Sequence, residues 1–136
     1  MGQTQVLLIA LSVVLVGIAA AVGIDQFSEN AMTSNRDAVA ADCQRIISQS
    51  MQWYRRPASL GGGGKDFTAL TFDKIGVAST NDNGTYALSG QAADSFTITG
   101  TGTENTTGGV PVEVVITYTA STNTFAYSDN LTPVVP

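Results

Sequence analysis

The chain has 136 residues, of which 12% are charged, with a formal net charge of −5, no histidine and one cysteine, Cys43. Its six basic residues are scattered, which argues against nucleic-acid binding because neutralising phosphates requires clustered Lys and Arg. The absence of histidine removes the commonest general base and metal ligand, and a lone cysteine excludes an internal disulfide. We therefore expect a protein that is not an enzyme and that holds no cofactor or metal.

Residues 1–24 form the most apolar part of the chain. No Asp, Glu, Lys or Arg occurs there, and the stretch from Val6 to Ile24 has Ser12 as its only polar side chain. As a helix, that stretch spans roughly 28 Å at ~1.5 Å per residue, which matches the hydrocarbon core of a bilayer. We predict a helix segment that crosses a membrane or forms the core of a filament.

Two other interpretations of this stretch are a cleaved signal peptide and the core helix of a soluble protein. Ala19-Ala20-Ala21 could serve as a cleavage site, but no basic residue precedes the apolar run. The rest of the chain is too small to surround a core helix of this length. We therefore expect the segment to be retained, and we leave open whether Met1 is the translation start or a processed N-terminus.

Residues 25–56 continue the helix with an amphipathic pattern. Apolar residues recur at intervals close to three, four or seven from Phe27 to Tyr54, and no proline precedes Pro57. We predict one helix over residues 6–54, ended by Pro57 because a residue before proline is disfavoured in the α region. The helix is expected to pack against a sheet through Val39, Cys43, Ile46, Ile47, Met51 and Trp53.

Residues 57–66 are predicted to be a glycine-rich linker. Consecutive glycines from Gly61 to Gly64 suit either a flexible joint or a tight backbone path. A phosphate-binding loop is disfavoured because Lys65 is followed by Asp66 and because a helix, rather than a strand, precedes the glycines.

Residues 67–136 are rich in threonine and alternate between apolar and polar side chains, which predicts an antiparallel sheet. Strands are predicted over residues 67–72, 85–89, 95–99, 112–119 and 124–128. Turn residues at 81–84 and 120–123 predict hairpins, and residues 100–109 predict a loop. The fold class is then α+β: a long N-terminal helix with an apolar first half, and a small C-terminal antiparallel sheet packed on its second half.

The apolar segment with Gly17 and Ala19-Ala20-Ala21, and its exit Gly23-Ile24-Asp25-Gln26-Phe27-Ser28-Glu29, resemble the N-terminal helix of type IV pilins, of the class III type. The resemblance rests mostly on residues 1–54. It implies a structural subunit that is anchored in the inner membrane before assembly and then polymerises into an extracellular helical filament at the cell surface. The implied partners are other copies of the chain, the inner membrane and the pilus assembly machinery, with no nucleic acid required.

Several features depart from the pilin pattern. The family's glutamate near the start of the mature chain is replaced by Gln5, or by Leu8 if the chain is aligned on the glycine and the exit. No basic leader ending in glycine and no proline near Gly23 is visible, and Cys43 cannot close a C-terminal disulfide loop. The alternatives are a minor pilin, a type II secretion pseudopilin, or a monomeric single-pass membrane-anchored binding domain.

An apolar helix of this length is stable in lipid or among copies of itself, and small side chains let helix backbones approach closely. A contact between two different surfaces that does not close a ring produces an open fibre. The filament core is expected to be packed by Gln5, Leu8, Ala10, Ser12, Gly17, Ala20, Ala21, Gly23 and Phe27.

Three asparagines match the Asn-x-Ser/Thr acceptor pattern for N-glycosylation, namely Asn83, Asn105 and Asn130. In a chain this rich in Asn and Thr, three such matches are unsurprising by chance. They are retained as candidate modification sites.

Overall fold

The structure is a computed structural model that describes residues 2–131. Helix α1 runs from Gly2 to Arg55, slightly beyond both ends of the predicted helix, and Pro57 follows its end as expected. The chain divides into two compact units, residues 1–31 and residues 32–136. The N-terminal unit consists of α1 residues, and the second unit contains the rest of α1 and the whole sheet.

The segment after α1 contains a single 3₁₀ turn at Ala58–Leu60 and a short helix, α2, at Phe72–Ile75. The predicted strand over residues 67–72 is therefore wrong. The Asp66 carboxylate accepts a hydrogen bond from the Thr68 amide at 2.8 Å, and the Leu70 amide donates to the Phe67 carbonyl at 2.9 Å. These bonds close a turn, which buries Phe67 and Leu70 together although they lie three residues apart.

The sheet is an antiparallel meander of five strands in the order β1-β2-β3-β4-β5. Their bounds are Thr80–Asn81, Gly84–Ser89, Ser95–Asn105, Pro111–Thr119 and Thr124–Asp129. The four later predicted strands are confirmed, and so are both hairpins. Asn81 pairs with Gly84 and Thr119 pairs with Thr124, with Asn123 in the left-handed region at φ 51°.

The predicted loop over residues 100–109 is wrong in its first half, because β3 continues to Asn105. Gly100 pairs with Val114 and Thr101 pairs with Glu113, and the register shifts between Thr101 and Asn105. The glycines and threonines from Gly100 to Asn105 that suggested a loop therefore belong to a strand.

The core of the second unit lies between α1 and one face of the sheet. The sheet contributes the alternating positions predicted for β3 and β4, all at most 3% exposed: Phe96, Ile98, Val112, Val114, Ile116 and Tyr118. The ring of Phe67 lies at the centre of an aromatic cluster, with Tyr54, Phe96 and Tyr118 at centroid distances of 4.4, 4.8 and 6.1 Å. The fold is thus α+β, with the second half of the long helix packed on the strands.

Candidate assembly surface

The apolar segment of α1 has no buried side chain in the chain by itself. All the predicted filament-core positions are exposed, and Leu8 and Phe27 are 59% and 81% exposed. A side chain added at Gly17 or Gly23 would meet no atom within 4 Å. The hydroxyl of Ser12 donates to the Leu8 carbonyl at 2.8 Å, so the polar group of this stretch is satisfied within the helix. The outer surface that remains is apolar, and it combines small residues such as Gly17 with large ones such as Leu7.

A helix this long and apolar can cross a membrane by length and composition, and it is the single such helix among residues 2–131. Its backbone hydrogen bonds are made within the helix, so it is compatible with lipid or with a packed bundle of helices. Water is the environment in which this surface is least stable, because each exposed apolar side chain forgoes ~1.5–3 kcal/mol of burial free energy.

Most of the predicted helix–sheet positions are buried in the second unit. Val39, Cys43, Ile46 and Ile47 are at most 1% exposed, Trp53 is 3% exposed and Met51 is partly buried. Burial raises the pKa of the Cys43 thiol to about 12, and the charge of Asp42 adds to the shift. The cysteine is therefore a packing residue with a thiol that stays protonated.

Two glycines of β3 allow α1 to lie close to the sheet. A Cβ at Gly100 would lie within 2.4 Å of Val39 Cγ1 and 2.9 Å of Cys43 Sγ, and a Cβ at Gly102 would overlap Asn35 Oδ1. Neither glycine has a positive φ angle, so the backbone conformation does not require glycine at either position. Their role is to leave room for the helix, and a loop assignment based on glycine content misses this role.

Asn35 joins the helix to the ends of two hairpins. Its side-chain amide donates to the Asn83 carbonyl at 2.9 Å, and its Oδ1 accepts from the Glu104 amide at 3.2 Å. The sequence analysis did not single out this residue. The available signal was a polar side chain on the sheet-facing side of the helix, four residues before Val39.

Asp42 is the centre of a second polar connection between helix and sheet. Its Oδ2 accepts from Asn81 and Asn83 at 2.8 Å each and from the Tyr86 hydroxyl at 2.6 Å. Burial acts to raise the pKa of Asp42, but these three hydrogen bonds and the positive charge of Arg45 outweigh it, so the pKa lies below its ordinary value. Burial and the neighbouring carboxylate raise the pKa of Tyr86. The carboxylate therefore stays charged and holds the β1–β2 hairpin to α1.

The glycine run closes the end of α1 by the tight backbone path. The amides of Gly63, Gly64 and Lys65 donate to the carbonyls of Trp53, Arg56 and Tyr54 at 2.8–3.0 Å. A Cβ at Gly63 would lie 2.6 Å from the Trp53 ring, and the indole Nε1 donates to the Gly61 carbonyl at 3.2 Å. The run thus satisfies terminal helix carbonyls and covers Trp53.

A groove of about 360 Å³ lies beside the helix at the β5 edge of the sheet. Phe125 and Tyr127 on β5 are 54% and 50% exposed, so the cover that α1 gives to β3 and β4 does not extend to them. The Tyr127 hydroxyl donates a hydrogen bond to Asp129 at 2.8 Å. The pKa of Tyr127 is raised to about 12, mainly by burial and to a smaller extent by this hydrogen bond. We call this feature the neutral groove, and it is lined by Gln44, Ser48, Ile116, Phe125 and Tyr127.

The three candidate glycosylation sites differ in their surroundings. Asn83 donates its amide to Asp42, and Asn130 uses both its side-chain atoms, accepting from the Glu113 amide and donating to the Pro111 carbonyl at 2.8 Å each. Asn105 is exposed at the end of β3, and its side chain makes no hydrogen bond within residues 2–131. Of the three, Asn105 is the exposed one whose side-chain amide is not engaged in a hydrogen bond within residues 2–131.

No group of three or more His, Cys, Asp or Glu side chains that could hold a metal occurs in the described range 2–131. The polar side chains of Asn35 and Asp42 are engaged in joining the helix to the sheet, whereas the apolar side chains of residues 6–24 are exposed. The exposed apolar segment of α1 is therefore the candidate functional surface.

Comparisons of the chain with protein-family models, with curated proteins and with solved structures found no match. The architecture itself, a long apolar N-terminal helix followed by an antiparallel sheet packed on the second half of that helix, is pilin-like.

Proposed function

We propose that this chain is the structural subunit of an extracellular, type IV pilus-like helical filament. The subunit is anchored in the inner membrane before assembly and polymerises through the apolar part of α1, with the pilus assembly machinery as its partner. In this role it is not an enzyme, and the filament is a homopolymer at the cell surface.

The observation that carries the proposal is that every residue from 2 to 31 is exposed in the chain by itself. Apolar side chains such as Leu7 and Ile24, which are 70% and 67% exposed, require lipid or other protein around them. Lipid provides that environment before assembly and a bundle of identical helices provides it afterwards. Because both environments are apolar, the segment can move from one to the other without refolding.

Small residues supply the contacts of the bundle. Gly17 and Gly23 offer open backbone, and Ala10, Ala20 and Ala21 add little bulk, so neighbouring helices can approach closely. Contacts of this kind between different faces of successive copies extend indefinitely when the rotation between copies does not close a ring. The result is a helical fibre whose core consists of the N-terminal segments.

Gly17→Leu and Ala20→Leu test this proposal directly, with Ala87→Leu on an exposed position of β2 as the matched control. Each N-terminal variant is expected to fractionate with the membrane like the wild type but to yield no filaments, because the added side chain keeps neighbouring helices apart. Ala87→Leu is expected to assemble normally. The measurement is negative-stain microscopy of sheared surface material together with membrane fractionation.

The same experiment separates the rival functions. Normal filaments from both N-terminal variants would contradict the packing argument. Absence of the wild-type protein from the sheared fraction would contradict a major filament subunit and favour a minor pilin, a secretion pseudopilin or a monomeric membrane-anchored binding domain. A full-length wild-type chain that stays monomeric in detergent-free buffer would have the same consequence.

A further inference from the structure

The helix α1 covers the sheet only as far as β4. In the register of the sheet, Ile116 pairs with Tyr127 and Tyr118 pairs with Phe125. The two β4 residues are 2% and 3% exposed, whereas their β5 partners are at least 50% exposed. All four side chains are on the same face, because directly paired residues point to the same side of a sheet. The boundary of the helix cover therefore falls between β4 and β5.

We propose that the neutral groove receives the apolar segment of α1, residues 6–24, from a second copy of the chain. This inference rests on the proposed filament function and names the surface of the second unit that takes part in the contact. A helix from a second copy, lying beside the α1 residues Gln44 and Ser48, completes the cover of β5 in the way that α1 covers β3 and β4.

The groove is already arranged to receive a helix. The Tyr127 hydroxyl is held by Asp129 at 2.8 Å, and the same carboxylate lies 3.9 Å from the Arg36 guanidinium. The ring of Phe125 packs against Tyr118 with a centroid distance of 5.0 Å. Both exposed rings are therefore fixed by contacts within the subunit, so little conformational entropy is lost when a second copy binds.

The distribution of charge selects the occupant. The chain has a net charge of −5, so two copies repel each other when charged surfaces meet. The lining of the groove contains only Gln, Ser, Ile, Phe and Tyr, and the segment from Val6 to Ile24 contains no charged residue. These two surfaces can be buried against each other with no charged side chain in the contact itself, and the Asp129 carboxylate behind Tyr127 already has the Tyr127 hydroxyl and the Arg36 guanidinium as partners. Both occur once in every copy, which is the stoichiometry that a homopolymer needs.

A photocrosslinking experiment on filaments of the full-length chain identifies the occupant. Benzoylphenylalanine is placed at Phe125 or, as a control, at Ser128, which lies on the other face of the same strand. Irradiation of filaments carrying the probe at Phe125 is expected to give a crosslinked dimer whose attachment site, found by mass spectrometry, lies within residues 6–24 of the second copy. The probe at Ser128 is expected to give no link to that segment.

A second measurement uses charge on the two faces of β5. Phe125→Glu places a carboxylate in the groove, and Ser128→Glu places the same group on the opposite face. Phe125→Glu is expected to lower the filament yield at least about tenfold, which corresponds to 1.4 kcal/mol of lost contact free energy. Ser128→Glu is expected to leave the yield unchanged. Thermal unfolding of both variants checks that the second unit is folded.

The outcomes distinguish this inference from the function on which it depends. If the wild-type chain forms no filaments, the proposed function fails. If filaments form but the Phe125 probe links to lipid, to another protein, to the sheet of a second copy or to nothing, the groove inference alone is wrong. Normal assembly of a folded Phe125→Glu variant would also overturn it, and if that variant does not fold, the crosslink decides.

Discussion

Every side chain from residue 2 to residue 31 is exposed, whereas Met32, at 8% exposure, is the first of a series of buried positions that continues to Tyr118. Both regions are rich in apolar residues, and helix α1 contributes residues to both. The second region buries its apolar side chains against its own sheet. Within residues 2–131 the first region leaves its apolar side chains exposed.

The two parts of α1 are therefore expected to contribute to different properties of the protein. In residues 32–55 the amphipathic stripe contributes to an intramolecular core, and mutations there should change the free energy of unfolding. In residues 2–31 mutations should change partitioning and assembly while leaving that free energy unaltered. Truncating one phenylalanine in each region tests this division, and matched substitutions within the second region test the contacts that hold α1 to the sheet.

The largest expected effect comes from phenylalanines truncated in the two regions. Phe67→Ala removes a side chain with 0% exposure from the centre of the aromatic cluster, and it is expected to cost about 3–5 kcal/mol of unfolding free energy. Phe27→Ala removes one that is 81% exposed, and it is expected to change that free energy by less than about 0.5 kcal/mol. Urea denaturation monitored by tryptophan fluorescence measures both, since Trp53 lies in the core.

Phe27→Ala is also expected to reduce filament yield, because Phe27 is among the predicted filament-core positions. An equal loss of unfolding free energy in the two variants would show that the division between the regions is wrong.

A smaller effect is expected from glycines of β3 and of the following loop. Gly100→Ala introduces a Cβ within 2.4 Å of Val39 Cγ1, and overpacking of this kind is expected to cost about 1–3 kcal/mol. Gly108→Ala is the matched control, since its nearest neighbouring atom would be 3.9 Å away. Thermal unfolding measures the difference, and a Gly100→Ala variant as stable as Gly108→Ala would contradict the close approach of α1 to β3.

The smallest effect is expected at Asp42 and depends on pH. Because the pKa of Asp42 is lowered in the folded chain from its ordinary value of 3.8, its stabilising effect is present above that value and is lost as the pH falls through the folded pKa. Asp42→Asn is expected to cost about 1–2 kcal/mol at pH 7, a value between those typical of neutral hydrogen bonds and of hydrogen bonds to a charged group.

The difference between wild type and Asp42→Asn should begin to shrink as the pH falls below the ordinary pKa of 3.8, and it should disappear below the lowered pKa of the folded chain, where the wild-type carboxyl is neutral too. Melting temperatures measured from pH 7 to pH 2 follow this convergence. Asp82→Asn, at an exposed position of the same hairpin, is the control. A difference that is constant over this range would show that the charge of Asp42 is not what holds the hairpin.

The helix, the four later strands, the two hairpins and the α+β class could be predicted because each depends on local pattern. Alternation in residues 112–118 identifies the buried face of β4, and Pro57 marks the end of α1. The exposure of the apolar segment also follows from composition, since the rest of the chain is too small to cover it.

Except for the turn at residues 66–70, which local hydrogen bonds close, the errors occurred where a residue's role depends on a distant partner. Gly100 and Gly102 resemble loop residues until the helix that packs against them is known, and Phe67 resembles a strand residue until the turn closed by Asp66 is known. The connections made by Asn35 and Asp42 join positions that are 39–69 residues apart along the chain, so no local window contains both partners. The half-exposed state of Phe125 and Tyr127 likewise depends on how far α1 extends across the sheet.

The ties between α1 and the structure packed on it also have a mechanical consequence. Three side chains along α1 make hydrogen bonds to the structure packed on it, namely Asn35, Asp42 and Trp53. They are distributed over roughly 27 Å of the helix axis at ~1.5 Å per residue. A force applied along the helix axis therefore acts on all three connections simultaneously, as a shear force. It does not break them one after another. Since rupture under force is limited by the rate of unfolding, simultaneous loading would keep the second unit folded while the proposed filament is stretched.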